Sequence, residues 1–394
     1  MSFPRMPFFL CAITGSFFSF CIGVQGADVS PDCAWIKQEK IRAGYLYYYD
    51  DVRYARSLQE AGMNTVLVKG WQFADRKQTE NTLLSYKKWA LSCRRNGLHL
   101  FAAYNWQPQE TVFQRYRPVV FADGREGLFV CPLDRMFWQE HLILHGMEIA
   151  RLSLDPNGSI DGILLDLEMY RTEKEHAERK NYSPNACFCD FCFSTFLFAK
   201  GYTGFTLPPV DKRDRSQWLA QKGWLDQYRR YLEQQVSVLA HEYSRQVRLV
   251  NPRLLLAVYP HPSESNWVLR DLAKEFGTPE VPVVIFATHS YYVGGYQSIP
   301  SNQQQYLEGM GIDAVYVAGY LFRKYSSGQI EENLLESARR ADGYWLFKMP
   351  QLWKQDLVGK NEQLAGGSQA DYWKAIRSAN QKIQQQQTAK QTER

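Results

Sequence analysis

Strong charge of one sign is missing from this 394-residue chain: Lys and Arg number 46, Asp and Glu 41, for a formal charge of +5. The small excess is spread without a basic block, so the electrostatic footprint of a nucleic-acid binder is absent. No glycine-rich phosphate loop or Ser-His-Asp constellation emerges, which sets aside P-loop chemistry and triad hydrolysis. Past residue 24, no run is long and apolar enough to span a membrane. No Pro/Gly-rich linker marks off a second domain. Cysteine is scarce, at 8 residues, but it is unevenly placed.

What is present begins with an export pattern. Arg5 precedes an apolar run over 7–24, and Val24 and Gly26 give small-residue spacing before Ala27. This reads as a signal peptide over 1–26, with a marginal membrane anchor as the alternative. The expected product is secreted or periplasmic, has no membrane association once the signal is removed, and meets an environment that permits disulfides.

From there, apolar runs alternate with amphipathic stretches. Strands are expected at Ile41–Tyr49, Asn64–Val68, Leu98–Tyr104, Ile160–Glu168, Leu254–Tyr259, Pro282–Thr288, Ile312–Ala318 and Gly343–Lys348. Helices are expected near Val52–Ala61, Thr79–Asn96, Arg135–Leu152, Gln217–Val250 and Gln369–Gln384. Eight strands, mostly continuous apolar runs and separated by helices, predict α/β architecture: a (β/α)8 TIM barrel over 27–385. A long cysteine-containing insertion follows strand 4, and a Gln-rich tail over 386–394 is expected to be disordered.

Active sites on such barrels lie at the C-terminal ends of the strands. The fourth run, IDGILLDLE, ends in Asp166 and Glu168, which share a face because side chains alternate. One reading is a salt-bridged strand end. The other is a catalytic acid pair, in which two close like charges cannot both ionise freely and one keeps its proton. At other strand ends stand Asp50, Lys69, Trp71, Asn105, Trp106, His289, Tyr291, Tyr292, Tyr320, Trp345 and Lys348. Asp50 is a candidate second carboxylate or a helix cap. Asn105 and His289 suit hydrogen bonding to hydroxyls, and the rings suit either packing or stacking. Lys69 and Lys348 are candidates to pair with Asp166 or to meet an acidic ligand. After strand 4, Cys187, Cys189 and Cys192 form C-x-C-x-x-C, with Cys131 available in the loop after strand 3. Four thiols at such spacing suit a closed metal site. Disulfides, drawing also on Cys33 or Cys93, are the alternative.

The octet Asp161–Glu168 resembles the fourth-strand signature of family 18 glycoside hydrolases, DGxDxDxE. Asp161, Gly162, Asp166 and Glu168 match, and Leu164 stands where that family has an inner Asp. The resemblance implies Glu168 as proton donor and Asp166 as the residue orienting a substrate acetamido group, with Trp345 as the floor of a sugar subsite. The cysteine pattern resembles family 42 β-galactosidases, which implies a structural zinc on Cys131, Cys187, Cys189 and Cys192. Here Leu167 stands where that family has Asn before its acid/base Glu, and no strand-seven nucleophile is apparent. Together they imply a hydrolase acting on a polysaccharide or glycan, with a catalytic pair Glu168 and Asp166. Asp50, Asn105, Trp106, His289, Tyr291 and Trp345 would meet the carbohydrate. A barrel that binds glycan without cutting it is the alternative.

Overall fold

Apolar runs with β-branched and aromatic content favour strands, and each run of that kind forms one in a computed structural model. The structure describes residues 34–47, 51–70, 75–106, 108, 110–167, 186–260, 267–292, 294–353 and 363–392. The strands, in chain order, are β1 (Ile41–Tyr47), β2 (Thr65–Lys69), β3 (His99–Asn105), β4 (Pro118–Val120), β5 (Glu126–Val130), β6 (Gly162–Asp166), β7 (Leu255–Tyr259), β8 (Val283–Ala287), β9 (Ala314–Leu321) and β10 (Gly343–Phe347). Eight of them close into a parallel barrel in the order β1-β10-β9-β8-β7-β6-β3-β2, and β4 and β5 form a separate antiparallel hairpin. This is the expected (β/α)8 barrel.

Strand alternation divides the core in two. Ile41, Ala43, Tyr45, Phe101, Ala103 and Leu164 belong to the cluster that fills the barrel. Their neighbours Leu100, Ala102, Tyr104, Ile163 and Leu165 belong to the layer between strands and helices. Two glycines make the interior packable. A Cβ on Gly162 would lie 2.3 Å from the ring of Phe101, its register partner on β3. A Cβ on Gly319 would lie 2.6 Å from both the Ala287 carbonyl and the Trp345 indole nitrogen, which hydrogen-bond to each other.

The structure departs from expectation in four places. The loop after β3 carries the β4–β5 hairpin, whose short strands leave too brief an alternation to read. The helix expected over Arg135–Leu152 contains a π-helical stretch, Trp138–Ile143. The helix expected over Gln217–Val250 is two, Arg215–Gln221 and Leu225–Val250, separated at Gly223 with φ +68; glycine adopts that left-handed conformation at little cost. The last helix runs Gln369–Thr392, past Gln384 and through a stretch expected to lack order. Its Gln, Ala and Lys are good helix formers uninterrupted by Gly or Pro.

Helix Leu225–Val250 packs on helix Trp267–Phe276 through a charged seam. Arg270 Nη2 sits 2.5 Å from Glu233 Oε2, and Arg270 Nε sits 3.5 Å from Asp271 Oδ1. Asp271 is buried, and its Oδ2 has no hydrogen-bond partner among the described residues. Burial pushes its carboxyl up to about 7, against the pull of Arg270. An acid whose pKa rises on folding stabilises the fold while it is protonated; that contribution is lost as pH climbs from about 4 to about 7. Asp271→Asn should therefore raise the melting temperature clearly at pH 8 and little at pH 4. Equal shifts at both pH values in thermal melts would contradict this account.

Candidate functional site

The C-terminal mouth of the barrel is set by register. Asn105 on β3 lies opposite Asp166 on β6, which lies opposite Tyr259 on β7. Asp166 continues the inward series of Gly162 and Leu164, and Asn105 that of Phe101 and Ala103. Lys69, at the end of β2, sits one step lower, opposite Ala103. Its four-carbon stem passes the small Ala103, and Nζ reaches Asp166 Oδ2 at 2.5 Å. The two side chains are 3% and 4% exposed. Charges so removed from water are tolerated only when paired, and here the pairing spans two strand intervals. Beside the pair, Asn105 is 5% exposed, and its amide oxygen has no partner among the described residues.

Tyr259, the register neighbour of Asp166, belongs to an aromatic cluster around Trp345. Trp345 is fully buried, and its indole N–H donates to the Ala287 carbonyl at 3.0 Å. Tyr291 lies 4.8 Å from it, Tyr259 5.0 Å and Tyr45 5.7 Å, centroid to centroid. Trp345 and Tyr291 are thus brought together, with their rings inside the barrel filling. Trp106 goes elsewhere. It follows Asn105, so alternation turns it outward, where it is buried edge-on against Phe137 and Trp138, 5.3 Å from each. Tyr320 also faces outward, its hydroxyl on Ser337. His289 is half-buried and opens the short helix His289–Tyr292 just after β8. Glu168, Asp50 and Trp71 lie outside the described residues. Tyr45 and Tyr259 were not singled out by sequence; the signal was available as inward parity at the tops of β1 and β7.

The thiols converge from the loops that follow β3 and β6. The sulfurs of Cys131, Cys187, Cys189 and Cys192 all lie within 4.8 Å of one another, and all four residues are buried. Cys131 follows β5, and Cys189 caps helix Asp190–Ala199. Cys131 and Cys192 are 3.4 Å apart, Cys131 and Cys189 3.7 Å. Those separations are too long for disulfides, which need about 2.05 Å, and all five described cysteines are free. Tetrahedral thiolates around zinc, with Zn–S about 2.3 Å, would stand about 3.8 Å apart, so the set fits a metal ion. Two backbone amides already point at sulfur: Val120 N to Cys187 at 3.4 Å and Cys192 N to Cys189 at 3.5 Å. Burial raises the thiols of Cys131 and Cys192, while hydrogen bonds from its three neighbours lower Cys189. Arg215, itself buried, donates to Phe188 O at 2.7 Å and to Asp190 Oδ1 at 2.6 Å, and the Tyr228 hydroxyl donates to Cys187 O. The cluster therefore ties the β4–β5 hairpin to the insertion after β6.

The mouth pair yields a stability test. Lys69→Met removes the ammonium group from beside a buried carboxylate and should cost about 3–5 kcal/mol. Lys69→Met with Asp166→Leu should recover most of that loss, since no bare charge remains. Denaturant unfolding of the two single variants and the double measures the coupling; simple additivity would contradict a direct pair.

No family model matches this chain, and no curated protein does. Solved structures match its fold. The β-galactosidase of the psychrophile Marinomonas ef1 aligns with TM-score 0.60 at 11% identity, over 87% of this chain and 60% of that one. The β-galactosidase of the Antarctic haloarchaeon Halorubrum lacusprofundi aligns with TM-score 0.55 at 12% identity, over 87% and 58%. A broad-specificity endoglucanase from Clostridium longisporum aligns with TM-score 0.50 at 12% identity, over 89% and 99%. The chain thus spans about three fifths of the length of the β-galactosidases it matches. At such identities the likeness is one of fold, and the fold is the eight-stranded parallel barrel on which those glycoside hydrolases are built.

Proposed function

We propose that this chain is an exported glycoside hydrolase that cleaves a polysaccharide or glycan at the C-terminal mouth of its barrel. The observation that carries the reading is Asp166: an inward carboxylate at the top of the fourth barrel strand, buried and held by Lys69, two residues before Glu168. In this reading Glu168 is the general acid that protonates the glycosidic oxygen. Asp166, two residues earlier, is held in orientation by its lysine. Asn105 brings a buried amide oxygen without a partner among the described residues, which a sugar hydroxyl would satisfy. His289, on the rim, is a second polar contact. Substrate-assisted cleavage of an N-acetylated sugar, with Asp166 orienting the acetamido group, is one version. A two-carboxylate mechanism, with Asp50 as the second acid, is the other.

Non-catalytic glycan binding is the second reading. It is favoured by β9, which carries no acid over Ala314–Leu321, and by Leu164 at the inward position below Asp166. Full burial of Trp345 adds to it, since a covered ring offers no stacking face.

The thiol cluster is proposed as a structural zinc site. Four thiolates would close the metal's shell and leave no position for substrate. Its task would be to staple the insertion beside the mouth.

Turnover of a glycan panel by wild type, with Glu168→Gln losing at least 100-fold in kcat while still binding, is the expected outcome for the enzyme. Binding without turnover in wild type favours the second reading, and absence of both removes the carbohydrate assignment. Elemental analysis should find one zinc per chain, and Cys189→Ser should lose the metal along with several degrees of melting temperature. Metal-free protein of unchanged stability would refute the zinc assignment.

A further inference from the structure

The end of β3 is held by a residue outside the barrel. Odd-numbered residues of β3 bond toward β2, as His99 N does to Asn64 O; even-numbered ones bond toward β6, as Trp106 N does to Asp166 O. The described register of β2 against β3 stops at Lys69 opposite Ala103, yet β3 continues to Asn105. The Asn105 carbonyl therefore lies beyond the last described rung on its β2 side. His141 Nε2 meets it at 3.0 Å. A carbonyl can only accept, so Nε2 carries the hydrogen.

His141 belongs to the π-helical stretch Trp138–Ile143. Such stretches add a residue to a turn and recur at functional sites. The ring is buried, stacks on Phe137 with centroids 5.3 Å apart, and meets Tyr104 edge-on. Burial pushes the imidazole down to about 4, so the ring is neutral near pH 7. A second histidine fixes the first: His145 Nδ1 donates to the His141 carbonyl at 2.6 Å. Two rings with defined tautomers, one turn apart, are more than hydrophobic filling requires.

We propose that His141 is a positioning residue for the barrel mouth: by holding the Asn105 carbonyl, it sets the strand end from which the Asn105 amide enters beside Lys69 and Asp166. The role deepens the glycan reading and rests on it, because Asn105 matters only if the mouth receives a ligand. His141 itself faces the helix layer and acts through the backbone of Asn105. Without its N–H, a buried carbonyl loses a donor, a change that costs more than an ordinary surface bond, and the strand end is less firmly held.

Three variants test this: His141→Phe, which keeps the stacking and removes the donor; His141→Gln, which restores an N–H; and Asn105→Ala. In the full-length protein labelled with nitrogen-15, the His141 ring should show the Nε2–H tautomer. The amide signals of Asn105 and Trp106 should move in His141→Phe and return toward wild type in His141→Gln. An Nδ1–H tautomer overturns the proposal in the wild-type protein alone, whether or not a variant folds; so do unmoved amides in His141→Phe. Calorimetric titration with the oligosaccharide panel is the second arm. His141→Phe and Asn105→Ala should each weaken binding roughly tenfold, and the double variant should lose no more than either. Fully additive losses overturn the proposal. If wild type binds no oligosaccharide, the glycan reading fails, and the tautomer and amide signals still decide the role of His141.

Discussion

A lysine and an aspartate with almost no access to water meet at the top of the barrel, and much else follows from keeping them together. Neither charge would persist there alone. Lys69 comes from β2 and Asp166 from β6, with β3 between them, so their contact requires the register that places Lys69 opposite Ala103 and Asn105 opposite Asp166. A slip of one residue along β2 or β6 would send one charge into the layer beneath the helices, because every side chain changes face. Ala103 also matters by being small: a larger residue there would occupy the path of the lysine stem. The ion pair thus acts as a specificity device for the barrel's register as well as a feature of its mouth. Its net contribution to stability is expected to be small, because desolvation offsets most of the Coulombic gain of a buried pair.

The same alternation explains what sequence could and could not convey. All eight barrel strands were legible as apolar runs, because strands buried on both faces need apolar residues at nearly every position. Ladder pairing moves the boundaries by one to three residues; apolar content cannot do that. Parity was legible too. Asn105 and Trp106 are consecutive and cannot both face inward, and with Asn105 in line with Phe101 and Ala103, the outward turn of Trp106 follows. Strand β9 hid its parity because it extends through Gly319 to Leu321, so Tyr320 is a strand residue facing Ser337 and not a rim residue. The π-helical stretch at Trp138–Ile143 had no signal of this kind, since the stretch keeps a helical apolar pattern on either side.

The cysteines were legible for a different reason. Spacing of one and two residues between Cys187, Cys189 and Cys192 forces three sulfurs into one small volume whatever the surrounding fold. Only the fourth ligand depends on tertiary structure, and the β4–β5 hairpin delivers Cys131. Backbone pairing reinforces the closure: Phe188 N donates to Val120 O at 2.8 Å, and Cys131 N to Arg117 O at 2.7 Å. The first joins insertion to hairpin and the second closes the base of the hairpin, so the two segments are held by a peptide hydrogen bond and by thiol contacts together. A cluster built this way is a cross-link between two loops that flank the C-terminal side of the barrel, and its strength depends on what joins the sulfurs.

Lys69 also changes the electrostatic argument made from Asp166 and Glu168 as a bare pair. Two carboxylates alone would repel, and the repulsion would keep a proton on one of them. With an ammonium group 2.5 Å from Asp166, most of that repulsive field is cancelled at short range, because opposite charges in contact present mainly a dipole to a third group. In the proposed reading, a proton-donating Glu168 would then owe its proton to the closure of ligand over the mouth more than to its neighbour. The two sources differ in consequence. Repulsion acts whether or not ligand is present, whereas desolvation grows when a sugar displaces water. An acid of the second kind is readied by its substrate. On the proposed reading, that places weight on the neutral contacts that would hold a sugar, Asn105 foremost, and it would account for the strand end bearing Asn105 being tied to His141.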